Sequence, residues 1–163
     1  MLGFPNPVNE KAARAVAGGV LAIAVVALAA GWHWLLVPLA LGFWARVLTG
    51  PRLSPLGRLA TSVVAPRLGA PKYVPGPPKR FAQGIGAAVT TIGAVVGVAL
   101  GVDAVAVAAL AVIALAAGLE SVLALCLGCQ AFALLMRLGV VPERVCLECA
   151  DVGRRYGGAA ARP

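Results

Sequence analysis

AVAVAALAVIALAAGLESVLALCLGCQAFALLM, residues 104–136, is an apolar run interrupted by one charge, Glu120. It also carries the pair Cys126-Leu-Gly-Cys129. A helix rising about 1.5 Å per residue from Ala104 places Glu120 about 24 Å down a hydrocarbon core about 30 Å thick. Cys126 then lies at roughly 33 Å, at the far interface. The apolar character persists to Met136, so the helix must tilt, bend at Gly118 or Gly128, or run on along the surface. The rival reading splits the run into two spans turning at Gly118–Ser121. Each would hold only about 16 residues, short for a bilayer, and the arginines from Arg137 onward would be exported.

The rest of the chain has the same character. Hydrophobic residues make up 61% and charged residues 12% of 163 residues, against about 45–50% and about 25% in soluble domains. Most of the chain is therefore expected to be solvated by lipid. The net charge of +8 does not point to nucleic acid, because the basic residues fall between apolar runs and match no nucleic-acid motif. No cleavable signal peptide is evident, so the first apolar run reads as a retained span.

Asn9 and Glu10 offer a cap and a first-turn acid for a helix, and Ala12 to Gly31 is about one bilayer crossing. Trp32 and Trp34 flank a lone His33, which reads as an interfacial histidine in an aromatic belt. Residues 33–48 return across the membrane. The long loop from Arg46 to Arg80 holds seven basic residues and no acid. Within it Ser54-Pro55 opens a short amphipathic helix carrying Leu56, Leu59 and Val63, expected to lie on the membrane surface. Residues 71–78 read as an irregular, Pro-rich connector. The third span, 81–100, contains Gly93-xxx-Gly97, a spacing for close helix packing in lipid, read as a face within this one chain rather than a dimer motif.

The expected fold is all-α: an integral-membrane four-helix bundle over residues 1–140, followed by a Cys-containing tail, 141–163. The spans are about 12–31, 33–48, 81–100 and 104–125, with the apolar extension to 136. All 14 Lys and Arg lie at or before the start of span one, from the end of span two to the start of span three, or after the last apolar run. Four spans put these segments on one side, which the positive-inside rule makes cytoplasmic. Multi-pass placement in the plasma (inner) membrane with both termini inside is the expectation.

That placement decides how the thiols are read. The four cysteines form two pairs, Cys126/Cys129 and Cys146/Cys149, spaced C-x2-C-x16-C-x2-C. At a cytoplasmic interface the default state is reduced. The spacing fits a four-cysteine zinc site. The same residues fit redox or sulfur transfer between two dithiols. They also fit plain packing of buried small hydrophobes. On an unbroken helix Cys126 sits mid-helix without activation, Arg137 is about 12 Å from Cys129, and Glu120 faces away from both thiols. A carboxylate in hydrocarbon is nonetheless a functional candidate by default. Its alternative is a reach to water or to a loop arginine. No phosphate-binding loop, histidine cluster or Ser/His/Asp set accompanies these residues.

Pro5-Asn-Pro-Val-Asn-Glu10 with Ala-Ala-Arg14, the Gly-rich third span, and Glu120 ahead of Cys126-Leu-Gly-Cys129 together resemble a bacterial membrane family known only as a domain of unknown function. The resemblance covers roughly residues 5–140, and the CxGC segment is its most specific part. Members of that family tend to be encoded beside, or fused to, thioredoxin-like and rhodanese-like sulfurtransferase proteins. The resemblance implies a membrane role in thiol or sulfur traffic carried by Cys126 and Cys129. Cys146 and Cys149 rest on spacing alone. The expected function is therefore a membrane dithiol protein with Cys126 and Cys129 as working pair, Cys146 and Cys149 as second pair, and Glu120 as a further candidate. It would exchange electrons or sulfur with a soluble partner and need no cofactor. The alternatives are a non-enzymatic protein with zinc on the four cysteines, and a small homo-oligomeric transporter for a sulfur compound.

Overall fold

The computed structural model describes residues 4–146 and 149. Asn9 starts helix α1 (Glu10–Ala30): its side chain accepts the Lys11 N–H at 3.1 Å, and Gly31 closes the helix in the left-handed conformation at φ 68°. That φ is one a Cβ resists, which is why glycine ends the helix here. A 3-10 turn, His33–Leu35, leads into α2 (Leu36–Thr49). Ser54 caps α3 (Pro55–Leu59), which continues through a π-helical turn, Ala60–Val64, into α4 (Ala65–Arg67). Next comes α5 (Gly76–Ile92), prolonged by a π-helical segment, Gly93–Ala99. Helix α6 (Asp103–Leu123) and helix α7 (Leu127–Arg137) follow.

Both π-helical stretches occur where hydroxyls compete for backbone carbonyls. Thr61 and Ser62 donate to the carbonyls of Gly57 and Arg58 at 2.8 and 2.6 Å. Thr90 and Thr91 donate to Gly86 and Ala87 at 2.7 and 2.6 Å just before the second stretch. Hydroxyls bonded four residues back loosen the regular ladder at those points.

Helix α1 packs on α6 and α2 on α5, while the π segment after α5 joins the two pairs. The contacts are made by small residues. A Cβ on Gly97 would stand 2.6 Å from the Ala106 Cβ, and one on Gly93 the same distance from the Ala109 Cβ. The Gly93-xxx-Gly97 spacing is thus used inside the chain, against α6. Ala24, Ala27 and Ala106 are fully buried in the core, whereas Val25, Ile92, Val112, Leu115 and Val122 face outward. Leu36 and Leu110 are also fully buried, so small residues set the close helix contacts while larger ones fill the core between them. Among the described residues three helices are long and apolar enough to cross a membrane: Glu10–Ala30, Gly76–Ala99 and Asp103–Leu123. With 21, 24 and 21 residues, they are about 31–36 Å long. The apolar helix at 33–49 is shorter.

The structure departs from the sequence reading in three places. First, α6 runs unbroken through Gly118–Ser121 and ends instead at Ala124, so neither Gly118 nor Gly128 is the bend. Second, the Pro-rich connector is not irregular throughout. Strand β1 (Val8–Asn9) pairs antiparallel with β2 (Tyr73–Val74), and Glu10 pairs with Lys72 at 2.7 Å. Third, α3 turns Gly57 and Ala60 inward with Leu56 over Gly19 of α1, while Leu59 points out. Gly57 is small because it closes on Pro51, and Gly19 of α1 is small because Leu56 lies over it. At the opposite end of the bundle the two tight turns meet, and His33 Nδ1 lies 3.4 Å from Asp103 Oδ1.

Gly97→Ala is expected to destabilise the folded protein by about 1–3 kcal/mol through overpacking. Gly84→Ala, with nothing within 4 Å of its added methyl, should not destabilise. Unfolding of the two variants in detergent, read side by side, checks this.

Candidate functional site

The site is built by the way α6 stops. Ala124 takes the left-handed conformation at φ 56°. The N–H groups of Ala124 and Leu125 both return to the Leu119 carbonyl. From α1, Arg14 donates to the carbonyls of Ser121 (2.9 and 3.2 Å) and Val122 (3.2 Å). A cation on the last carbonyls suits the negative end of a helix. The chain then restarts as α7 with Cys126 in the capping position, its sulfur accepting the Cys129 N–H at 3.4 Å.

Cys126 is therefore not mid-helix, as an unbroken rod would have it. It stands at a helix N-terminus, the position that favours a thiolate. The Cys129 thiol donates to the Cys126 sulfur across 2.6 Å. That hydrogen bond holds the Cys126 thiol below its ordinary range, and it pushes Cys129 up, because Cys129 retains the shared proton.

Glu120 lies in the last turn of α6, where a carboxylate opposes the helix dipole. Its partner is Lys79, in the first turns of α5: Nζ to Oε1 is 2.5 Å, with only 10% and 15% of the two side chains exposed. Asn6 accepts the N–H of Gly76 at 2.8 Å and so fixes the start of the helix that carries Lys79. Both members of the pair act electrostatically on Cys126 and Cys129. Glu120 thus belongs to the thiol site rather than facing away from it. The break at Ala124 is the reason, since it turns the chain back over the end of α6. The sequence reading offered Glu120 a loop arginine or water. It missed Lys79, although Lys79-Arg80 directly adjoins the third span and a carboxylate in an apolar run calls for a cation.

Cys126 and Cys129 open onto a cleft of about 420 Å³, with Lys79, Glu10 and Gln130 on its walls. Phe132 on α7 packs on Phe81 of α5, ring centroids 5.6 Å apart. Gly128 passes so close to Ala82 that any side chain there would collide with it.

Cys146 and Cys149 are joined as a disulfide, against the expectation of reduced thiols. Cys146 repeats the local geometry of the first pair, its sulfur accepting the Cys149 N–H at 3.3 Å. A 3-10 turn, Glu143–Val145, precedes Cys146. The end of the tail lies outside the described residues. Among the described residues no three of His, Cys, Asp and Glu converge on one point. The four cysteines therefore do not assemble there as the zinc-ligand set that their spacing suggested.

One family matches the chain from residue 8 to residue 137. The chain belongs to that family, the Domain of unknown function (DUF4395). The family's stretch holds Lys79, Glu120, Cys126 and Cys129 and ends before Cys146, so the second pair is outside it. No curated protein and no solved structure was found to match the chain.

Two outcomes are expected. Removing one charge, by Lys79→Met or Glu120→Gln, should cost about 3 kcal/mol or more, because the surviving partner stays buried. The double variant should recover much of that loss, and the four-protein cycle in detergent measures the coupling. Ala124→Gly should stabilise by about 1 kcal/mol by relieving the left-handed alanine, read in the same unfolding assay.

Proposed function

We propose that this protein is a multi-pass membrane dithiol protein that exchanges electrons or sulfur with a soluble thiol partner. The observation that carries this reading is the Cys126–Cys129 pair. Its sulfurs are 2.6 Å apart at the start of α7, beside a buried lysine–glutamate pair. An open cleft leads to them.

In this proposal the four crossings are 10–30, 33–49, 76–99 and 103–123, in the plasma membrane of a bacterium. The basic segments and both termini face the cytoplasm. Helices α3 and α4 lie at the cytoplasmic interface with Leu59 toward lipid. The partner is of the thioredoxin-like or rhodanese-like sulfurtransferase class.

The chemistry is thiol–disulfide exchange. The Cys126 thiolate attacks one sulfur of the partner's disulfide, forming a mixed disulfide and releasing the other partner sulfur as a thiolate. Cys129 then loses its proton and attacks Cys126, closing the internal disulfide and freeing the second partner sulfur. Two electrons and two protons pass to the partner. With a persulfide partner, the outer sulfur is transferred to Cys126 instead. Lys79 stabilises the anion on Cys126, and Glu120 holds Lys79 in place. The disulfide at Cys146–Cys149 is the second pair through which electrons leave or enter the tail.

Mass counting of alkylated thiols before and after diamide treatment tests this reading. The Cys126–Cys129 pair should lose both alkylatable thiols on oxidation and regain both with dithiothreitol. Cys126→Ser should leave Cys129 alkylatable throughout. The alkylation rate of Cys126 should rise with pH around a midpoint below the ordinary thiol value of about 8.5. Lys79→Met should move that midpoint up, because the cation that favours the thiolate is gone. Thiols that stay alkylatable through oxidation would remove the proposal.

A further inference from the structure

Cys126 has a second face. Besides the open cleft, it lines a cavity of about 290 Å³ between α1, α2, α5, α6 and the start of α7. That is close to the lower end of small-molecule sites, about 300 Å³. Val20, Phe43, Val89 and Ile113 supply apolar walls. The polar groups on the lining are few: Arg46, Gln83 and Glu120, with Cys126.

Arg46 is the informative one. It is only 6% exposed. Its Nε donates to Gln83 Oε1 at 2.9 Å and its Nη1 to Ser54 Oγ at 3.1 Å. Its guanidinium carbon lies 4.5 Å from the centre of the Phe43 ring. Its Nη2 is buried with no hydrogen-bond partner among the described residues. A buried guanidinium N–H without an acceptor is rare and calls for a missing partner. The route in is lateral: Ile85, Val112 and Leu127 line the cavity and are also exposed on the outer apolar surface of the helices.

From this geometry we infer that the cavity binds a lipid-soluble two-electron acceptor of the quinone class, which oxidises the Cys126–Cys129 pair. The inference rests on the dithiol reading above and names where that pair's electrons go. A flat ring with carbonyl oxygens suits the apolar walls, and a turn of the Arg46 side chain, which lines the cavity, would bring its unpaired Nη2 to one of those oxygens. The ring also brings an oxidant to the inner face of Cys126. An acyl chain would fill the space but leave the guanidinium unpaired. A soluble disulfide would meet Cys126 from the open cleft.

The step balances. The S–H bonds of Cys126 and Cys129 break and one S–S bond forms. Two electrons and two protons convert the quinone's two carbonyl groups to hydroxyls. Arg46 donates to the carbonyl oxygen on which negative charge builds as the ring is reduced.

The test uses the full chain, purified in detergent, reduced and kept free of oxygen. The probe is decyl-ubiquinone, whose fully substituted ring resists direct thiol addition. Quinone absorbance and alkylated-thiol mass are followed together, with diamide as a parallel oxidant. One quinone should be consumed per chain as the Cys126–Cys129 thiols disappear, and Cys126→Ser should abolish this. Arg46→Gln should slow the quinone reaction by at least about tenfold more than it slows the diamide reaction. Ala117→Leu, which narrows the cavity, should also slow the quinone arm preferentially. If diamide oxidises the pair and the quinone does not, the inference is overturned while the dithiol reading stands. If neither does, the dithiol reading itself falls. Equal slowing of both arms by the two variants, or a quinone-sized mass adduct in place of a disulfide, would also overturn the inference.

Discussion

A lysine and a glutamate held 2.5 Å apart where α5 begins and α6 ends are the constraint on which the site depends. Neither charge is stable alone in an apolar bundle, and a carboxylate at a helix C-terminus is doubly unfavourable. The pair therefore fixes the register of α5 against α6. Arg14 adds to this from α1 by satisfying the carbonyls that α6 leaves open. Three helices are tied together at one end of the bundle by cations and helix-end acceptors. The other end closes on small residues and on the His33–Asp103 contact.

The consequence for chemistry follows from where α6 is made to stop. Had the apolar run continued as one rod, Cys126 would be an inert mid-helix thiol. Termination at Ala124 and restart at Leu127 give the same residue a helix N-terminus, a neighbouring thiol and a cation. It then stands between two spaces of different character. The open cleft has Lys79, Glu10 and Gln130 on its walls, and the cavity between the helices is walled mainly by aliphatic residues and Phe43.

Much of the architecture was legible because apolar length and charge placement are coarse signals. The three long helices follow from the runs beginning near Glu10, Phe81 and Ala104. The Gly93-xxx-Gly97 face follows from residue size alone. What was not legible depended on tertiary contact. Nothing local marks Ala124 as a left-handed stop, since alanine favours helix continuation. The carbonyls left open at the stop are taken up by Arg14, 107 residues from Ser121 in sequence. Lys79 read as one loop cation among seven, because only the packed bundle shows it facing Glu120. The strand pair at Val8–Asn9 and Tyr73–Val74 is too short to carry a pattern. The spacing of the four cysteines suggested one shared site, but α7 and the turn after it separate the pairs. The family match likewise covers only the first pair.

The most direct measurement is the two-electron equilibrium of Cys126–Cys129 against a graded thiol–disulfide buffer, read by alkylation and mass. The account predicts one transition, with both thiols lost together, in the working range of catalytic dithiols, about −270 to −120 mV. Thiols that remain separate and reduced across that range would contradict it, as would a disulfide that resists reduction below about −300 mV.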